Sequence, residues 1–542
     1  MTGRFQTIIL VGLLVFWQAS TSPAQVVRTV ALTGEDAPGA EAGEKFSALY
    51  WPAMNSAGQT AFGGVLASGD LLNDVGVWSE GSGVLNLVAR EGHQAPGTAA
   101  GVSFLAFLDP LINSAGQTAF FGYLRGDGVF LTNNIGVWSE GDGSLGLVTR
   151  TGSQAPGTSA GVSFTEGLID PRLNSAGHVA FLARLAGSGV SNANDYGIWS
   201  DRAGALAMVA REGSAAPGLA GGVSYSVLGH PKLNSSSQLS FYGRLAGPGV
   251  TAANQDAIWS DRSGPLAVVV REGSQAPGTA SGVSYVDFSD HDFNTAGQVA
   301  MVSSLAGVGV TTLNDSGIWS EGSGAMSLIA REGDAAPGAG SGVKFGGFTG
   351  FDPPELNAAG QTAFKATVTG AGVNGGNNRG IWSEGFGSLH LVARAGDRPP
   401  AAPEGVRFAD LGFPVLNAAG QTAFSAFLTG ADVDSANNSG IWAEDRSGQL
   451  RLIARTGDML EVRPGDFRTI DYLAFRSYTS DADGRSSGFN DDGELAFLAE
   501  FTDGSHGIFV SNAVAVPEPM SAVICGIALM AMLRNRPSRR KQ

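Results

Sequence analysis

Through most of this chain, short apolar runs alternate with turn-forming clusters of Gly, Asn, Asp and Ser, the pattern of many short strands. Residues 103–113 (SFLAFLDPLIN) turn at Asn113-Ser114-Ala115-Gly116 into residues 117–124 (QTAFFGYL), which predicts a hairpin. Asn caps such a turn through its side chain and Gly supplies positive φ, so Asn-x-x-Gly is explained without chemistry. A polar loop then leads to residues 135–139 (IGVWS), and Glu140-Gly141-Asp142-Gly143 turns the chain into residues 145–150 (LGLVTR), a second hairpin. Runs such as Val137-Trp138 and Leu147-Val148 are apolar on both faces, so each sheet is expected to lie between two others.

This unit repeats. The stretch Asn-x-x-Gly-x-x-Ala-Phe or a close variant starts at Asn55, Asn113, Asn174, Asn234, Asn294, Asn357, Asn417 and Asn490, with spacings of 58, 61, 60, 60, 63, 60 and 73 residues. Four antiparallel strands in about sixty residues, stacked radially, describe a β-propeller blade. Most units carry a proline before the turn (Pro52, Pro110, Pro171, Pro231, Pro354, Pro414), which a sheet tolerates at its edge, so that segment is expected to be the inner strand beside the channel. A fourth-strand segment ending in Arg-Glu-Gly and Ala-Pro-Gly closes the units, and a lone copy (VRTVALTGEDAPG) stands at residues 27–39 while the last unit lacks its own. Residues 27–32 are therefore expected to pair with the strand containing residues 507–510, closing an all-β, eight-bladed propeller. A β-solenoid, which has no reason to split one unit between its ends, is the alternative, with two smaller rings a further one. Trp78, Trp138, Trp199, Trp259, Trp319, Trp382 and Trp442 recur at one site and read as inter-blade core, although indoles also stack sugars.

Composition fits this picture: 80 glycines and 15% charged residues suit strands and turns. The single cysteine, Cys525, lies in the tail, so the body has neither a disulfide framework nor a cysteine metal site. Arg4, an apolar run over residues 8–17 and Ser22-Pro23-Ala24 have the order of a secretory signal peptide, with cleavage expected after Ala24. The domain division is thus a signal peptide at 1–24, the repeat body at 25–512 and a tail at 513–542. Removing six basic residues of the two terminal segments takes the formal charge from -16 to near -22, which excludes nucleic acid as a partner and suits cations, neutral glycans or basic partners. In the tail, Pro517-Glu518-Pro519 precedes the apolar residues 520–533 and the basic end Arg534, Arg536, Arg539, Arg540 and Lys541. That order resembles a PEP-CTERM protein, which implies Pro517, Glu518 and Pro519 as a sorting signal, a transient transmembrane segment, and secretion machinery and an exosortase as partners. The repeats resemble the tandem NxxGxxAF family of bacterial surface proteins, a resemblance that brings no activity with it.

Candidate chemistry is sparse. The six histidines lie in different units, and no nucleophile elbow, zinc spacing or phosphate loop occurs. Asp481-Ala482-Asp483-Gly484 with Asp491-Asp492 reads as a solvated turn rather than a calcium loop. The arginine of Arg-Glu-Gly is expected to brace adjacent blades. Four residues before the turn asparagine stand Asp109, Asp170, His230 and Asp290, with His291 and Asp292 following the last, against Trp51, Pro353, Phe413 and Ser486 in the other units. If the inner strands line a channel, the six acidic and imidazole residues could hold a divalent cation, calcium in the first place, or glycan hydroxyls. The alternative is that Asp-Pro and His-Pro only bend the strand. No other cofactor is implied. Two function classes follow: a non-enzymatic binding or scaffold module of the cell envelope or matrix, with extracellular polysaccharide or an envelope protein as partner, or an exported glycan-acting hydrolase or lyase.

Overall fold

The computed structural model describes residues 27–515, except residues 69, 288–289, 349–352, 478–483 and 485–486, and gives only the backbone at 169–170. The signal peptide, Asp481-Ala482-Asp483 and the Pro517-Glu518-Pro519 tail lie outside the described residues, as does the side chain of Asp170. Among the described residues no helix is long and apolar enough to cross a membrane.

Residues 27–515 form an eight-bladed β-propeller of antiparallel sheets. Blade 3 shows the build. Its second strand, Val179–Ala186, pairs with Tyr196–Ser200, which pairs with the outer strand Ala207–Arg211. The inner edge strand is split in two, Ser163–Phe164 and Ile169–Leu173, both pairing with Val179–Ala186. Blades 1, 2 and 4 to 7 repeat this split, and in all of these but blade 5 the break contains a proline, which has no N–H to give the ladder, whereas the inner strand of blade 8, Asp466–Ala474, is continuous. In the last blade the outer strand is supplied by Val27–Leu32, which pairs with His506–Ser511 in the register Val27 to Ser511 and Leu32 to Gly507. The ring is closed as expected. One element was not anticipated: Met459–Arg463 pairs with the eighth inner strand Asp466–Ala474, turning the connector into a longer hairpin.

The repeated tryptophans are core. All seven are buried, each edge-on to a Phe or Tyr of the inner strand at about 5 Å between ring centroids, as in Phe164–Trp199 at 4.9 Å. The motif phenylalanine lies opposite the indole on the neighbouring strand, Phe181 to Trp199 and Phe424 to Trp442. This aromatic face packs on the smaller face of the preceding blade: Tyr225, Phe241 and Trp259 cluster with Ala180, Leu182 and Ile198. Such aromatic pairs add roughly 0.5–1.5 kcal/mol each beyond the area they bury.

The turn asparagine acts over a longer range than a turn requires. Asn113 Oδ1 accepts the amides of Ala115 and Gln117, its Nδ2 donates to Gln117 Oε1 at 2.8 Å, and the same Nδ2 donates to the backbone carbonyl of Asn174 in the next blade at 2.8 Å. The inter-blade bond runs from Asn55 to Asn113 and on through Asn174, Asn234, Asn294, Asn357 and Asn417 to Asn490, whose Nδ2 lies 3.5 Å from Ser56 O. Eight side chains thus fasten the ring around its axis. Where blade 3 has His178 in place of Gln, blade 4 has Ser237 in place of Gly, at φ 59°, and the Ser237 hydroxyl meets both His178 Nδ1 and Asn174 Nδ2. Two departures from the motif compensate each other.

The arginine of Arg-Glu-Gly is held first by a loop of its own blade. Arg211, Arg271, Arg331 and Arg394 donate from Nε to the carbonyl of Asn194, Asn254, Asn314 and Asn377, the loop between second and third strands of their own blade. The fourth strand ends beside that loop, and the guanidinium can also reach the connector from the preceding blade: Arg394 Nη1 donates to Ala339 O at 2.8 Å and Arg90 pairs with Glu44 at 2.6 Å. Blade-to-blade ion pairs are made by Arg202 with Asp261 and Arg262 with Glu321.

Candidate binding site on the propeller

The turns of all eight blades meet on the axis, where Ser56, Ser114, Ser175, Ser235, Thr295, Ala358, Ala418 and Asp491 line a cavity of about 200 Å³. The second halves of the inner strands touch from blade to blade, whereas in five blades the first halves pack against the third strand of the preceding blade. The inner strands therefore converge at the turn end and part beyond the break.

The break is where the sequence places its acidic and imidazole residues. Asp109 is exposed and its carboxylate lies 3.1 Å from Nη2 of Arg476, a buried side chain of blade 8 whose Nη2 also lies 3.4 Å from the carbonyl of Trp51. Asp290 is half-buried and lies 3.5 Å from the buried Nζ of Lys232. His291 is fully buried, its Nε2 2.6 Å from the Ser240 hydroxyl. Asp292 is buried and accepts the amides of Phe293 and, across to blade 6, Leu356 at 2.8 and 2.7 Å. His230 is exposed. The break thus brings basic side chains to Asp109 and Asp290, and backbone amides to Asp292. Among the described residues, the acidic groups whose ligand atoms lie within 4.8 Å of one another are others: Asp256, Glu272 and Asp287. There Asp256 already accepts Arg244 on both oxygens, at 2.7 and 3.0 Å, and the Tyr242 hydroxyl at 2.8 Å.

Larger spaces lie between blades. The groove between blades 3 and 4, about 650 Å³, is lined by Leu182, Arg184, Asp195, Tyr196, Glu212 and Val227 among others. Arg184 Nε donates to Asp195 at 2.9 Å. Burial pushes the Glu212 carboxyl up, the Tyr196 amide pulls it back and Asp195 adds to the rise, leaving it at about 7. Glu91, Glu272 and Glu332, at the same place in blades 1, 4 and 5, are raised in the same way by burial first. In blades 2 and 7 the position is Thr151 or Thr456, whose hydroxyl accepts the first amide of the third strand, Ile135 or Ser439, at 3.1 and 3.0 Å. Glu212 accepts the Tyr196 amide in the same role at 3.1 Å. That threonine serves equally well identifies the glutamate of Arg-Glu-Gly as a strand cap.

The corresponding groove between blades 7 and 8, about 550 Å³, has different walls: Asp410, Ser425, Phe427, Asn438, Ser439 and Thr456 of blade 7, Asp471, Tyr472 and Phe475 of blade 8, and Trp51 of blade 1. Trp51, Phe427 and Tyr472 are 46%, 56% and 43% exposed. Burial pushes the Asp410 carboxyl up, but the Leu411 amide and then Lys365 and Arg379 outweigh it and hold it below its ordinary value. Phe427 and Tyr472 are not marked by the repeat, because they stand where units differ. The available signal was that difference: the position of Phe427 is Arg184, Arg244 and Ser304 in blades 3 to 5.

The fold defines an eight-bladed propeller whose repeated polar side chains fasten the ring. More particularly, the chain belongs to a family of unknown function, DUF7453, whose model matches residues 14–133, 120–334 and 312–523. No curated protein matches the chain in sequence. Among solved structures it is similar to a puromycin hydrolase (12% identity, TM-score 0.37, covering 83% of this chain and 58% of that one). It is also similar to the Trypanosoma rangeli sialidase (9%, 0.27, 95% and 62%) and the Pyrococcus horikoshii acylaminoacyl peptidase (12%, 0.33, 73% and 49%). The chain thus spans between about half and three fifths of the length of these neighbours.

Proposed function

We propose that this chain is an exported, surface-sorted repeat protein whose propeller serves as a non-enzymatic binding or scaffold module in the cell envelope or extracellular matrix. The observation that carries the role is how the repeated polar residues are used. The turn asparagines, the Arg-Glu-Gly arginines and the capping Glu or Thr are engaged in internal hydrogen bonds, which leaves variety to the residues between blades. Fold alone does not decide function, so the weight falls on these sites. The address rests on the order of signal peptide, repeat body, Pro-Glu-Pro, apolar run and basic end. A strongly acidic body suits export into a medium of cations and neutral polymers.

The test is made in a host that has an exosortase and in the same host lacking it. In the first, intact mass of the surface protein should show a cut near Pro519 and loss of the basic end. In the second, the chain should stay in the membrane fraction. A mature surface protein that keeps Arg539 and Arg540 would remove the sorting reading.

A further inference from the structure

We infer that the groove between blades 7 and 8 is a binding site for a neutral oligosaccharide, with Trp51, Phe427 and Tyr472 as its stacking surfaces. A sugar ring has an apolar face of C–H groups and a rim of hydroxyls. It therefore needs flat apolar surfaces beside acceptors and donors that remain reachable from solvent. This groove offers both: three half-exposed aromatic side chains from three blades, with Asp471, Asn438, Ser425 and Ser439 among them. Its volume of about 550 Å³ falls in the ordinary range of ligand pockets, roughly 300–1,000 Å³.

Charge selects a neutral ligand. The side chains lining the groove include Asp410 and Asp471 and no Lys or Arg, so an anionic polymer meets repulsion. Asp410 is already matched by Lys365 and Arg379, at 3.4 and 2.9 Å, which removes much of the attraction for a cation. The three aromatics also stand where the repeat has no structural use for them: the position of Tyr472 is Val227 in blade 4 and Asp410 in blade 7, and that of Trp51 is Asp109 in blade 2. Arg476 fixes the junction, following Phe475 on the groove wall and reaching the Trp51 carbonyl.

The site rests on the binding-module reading above, yet the two fail separately, because tail processing and surface display are read in the cell and are unaffected by Trp51→Ala. The experiment is calorimetric titration of the full-length chain in mild detergent with cellohexaose, maltohexaose, xylohexaose and chitohexaose. Hexagalacturonate and hexalysine serve as charged comparators. At least one neutral sugar should bind, with affinity falling tenfold or more in Trp51→Ala and in Tyr472→Ala and unchanged in Arg184→Ala, in the groove between blades 3 and 4. Phe427→Ala stands in for either variant if its melting curve shows that it fails to fold. Absence of heat with all four neutral sugars, binding that survives the groove substitutions, or Trp51-dependent binding of a charged comparator instead would overturn the assignment.

Discussion

The groove between blades 3 and 4 and the groove between blades 7 and 8 are the same place on the scaffold with different walls. In the first, Arg184 and Asp195 form an ion pair and Glu212 caps the third strand. In the second, Phe427 stands at the position of Arg184, Asn438 at that of Asp195 and Thr456 at that of Glu212. The joints that hold the walls differ too. In blades 1 to 6 the indole N–H of the core tryptophan donates to the proline carbonyl of the Ala-Pro-Gly connector, as in Trp199 to Pro156 at 3.1 Å and Trp382 to Pro337 at 2.9 Å. In blade 7 the connector reads Pro-Pro-Ala, and Trp442 Nε1 is buried with no hydrogen-bond partner among the described residues. The glycine matters because the connector presses on the fourth strand. A Cβ at Gly338, φ +77°, would stand 2.8 Å from Leu391 Cβ. Ala401 carries that Cβ, at φ 60°, so the connector of blade 7 cannot sit as close and the Pro400 carbonyl misses the indole. The repeat supplies one ring, and individual departures from it supply the local chemistry.

The largest expected effect breaks both grooves together. Deleting residues 25–34 removes the outer strand of blade 8 and should cost on the order of 5 kcal/mol or more, lowering the melting temperature of the entire ring. Calorimetry on the deletion and parent chains checks this, and an unchanged transition would contradict a closed ring. Next comes the fastening. Asn357→Ala strips a buried turn of four hydrogen bonds and leaves the Asn417 carbonyl without its donor, for about 2–4 kcal/mol in urea unfolding. A cost below about 0.5 kcal/mol would mean that the asparagine ring is not what binds blade to blade.

A pH series separates the two grooves. The carboxyl of Glu212 sits at about 7 in the folded protein against an ordinary 4.5, so the folded chain holds this proton longer than the unfolded one. Its contribution is complete below about 4.5 and is lost as pH rises towards 7. Stability should therefore fall from pH 5 to pH 8, and Glu212→Gln should flatten the fall by on the order of 1 kcal/mol once solvent screening is allowed for. Thr456→Val, at the same place in the aromatic groove, should lower stability without changing the slope. A slope that is identical in Glu212→Gln and the parent would contradict the assignment. The smallest effect concerns the joint: Ala401→Gly should let the connector close on blade 7 and stabilise it by about 0.5 kcal/mol, the regained hydrogen bond being partly offset by the freer unfolded chain. Slower exchange of the Trp442 indole proton is the direct readout.

Much of this architecture was legible because it is written in spacing and composition. The period of the asparagines, the prolines of the inner strand, the lone segment at 27–39 and the recurring tryptophans led to eight blades, an inner edge strand, ring closure and an aromatic core. The side chains that act between units were harder to read. Asn113 has a sufficient explanation within its own turn, and nothing local shows that its Nδ2 reaches Asn174. The Arg211 guanidinium finds its partner inside its own blade because the loop ending at Asn194 comes back to the fourth strand, a return that no local pattern shows. Asp109 and Asp290 hold the same place in their units, which by itself says nothing of their partners. Their counter-ions, Arg476 and Lys232, lie in other blades, and only the folded ring brings them close. The aromatic groove escaped for the opposite reason: Tyr123 matches Phe427 and Phe413 matches Trp51, but among the described residues no other groove brings three such aromatics together.

Hydrogen exchange of the full chain, with and without the four neutral hexasaccharides in excess, tests most directly the claim that the two grooves share a scaffold but differ in function. Bound sugar should slow amide exchange in residues 410–412, 425–441 and 471–477, which wall the groove between blades 7 and 8. Residues 182–196 and 226–228, its counterpart between blades 3 and 4, should exchange as before. Protection of the second set, equal protection around the ring, or none in either would contradict the account.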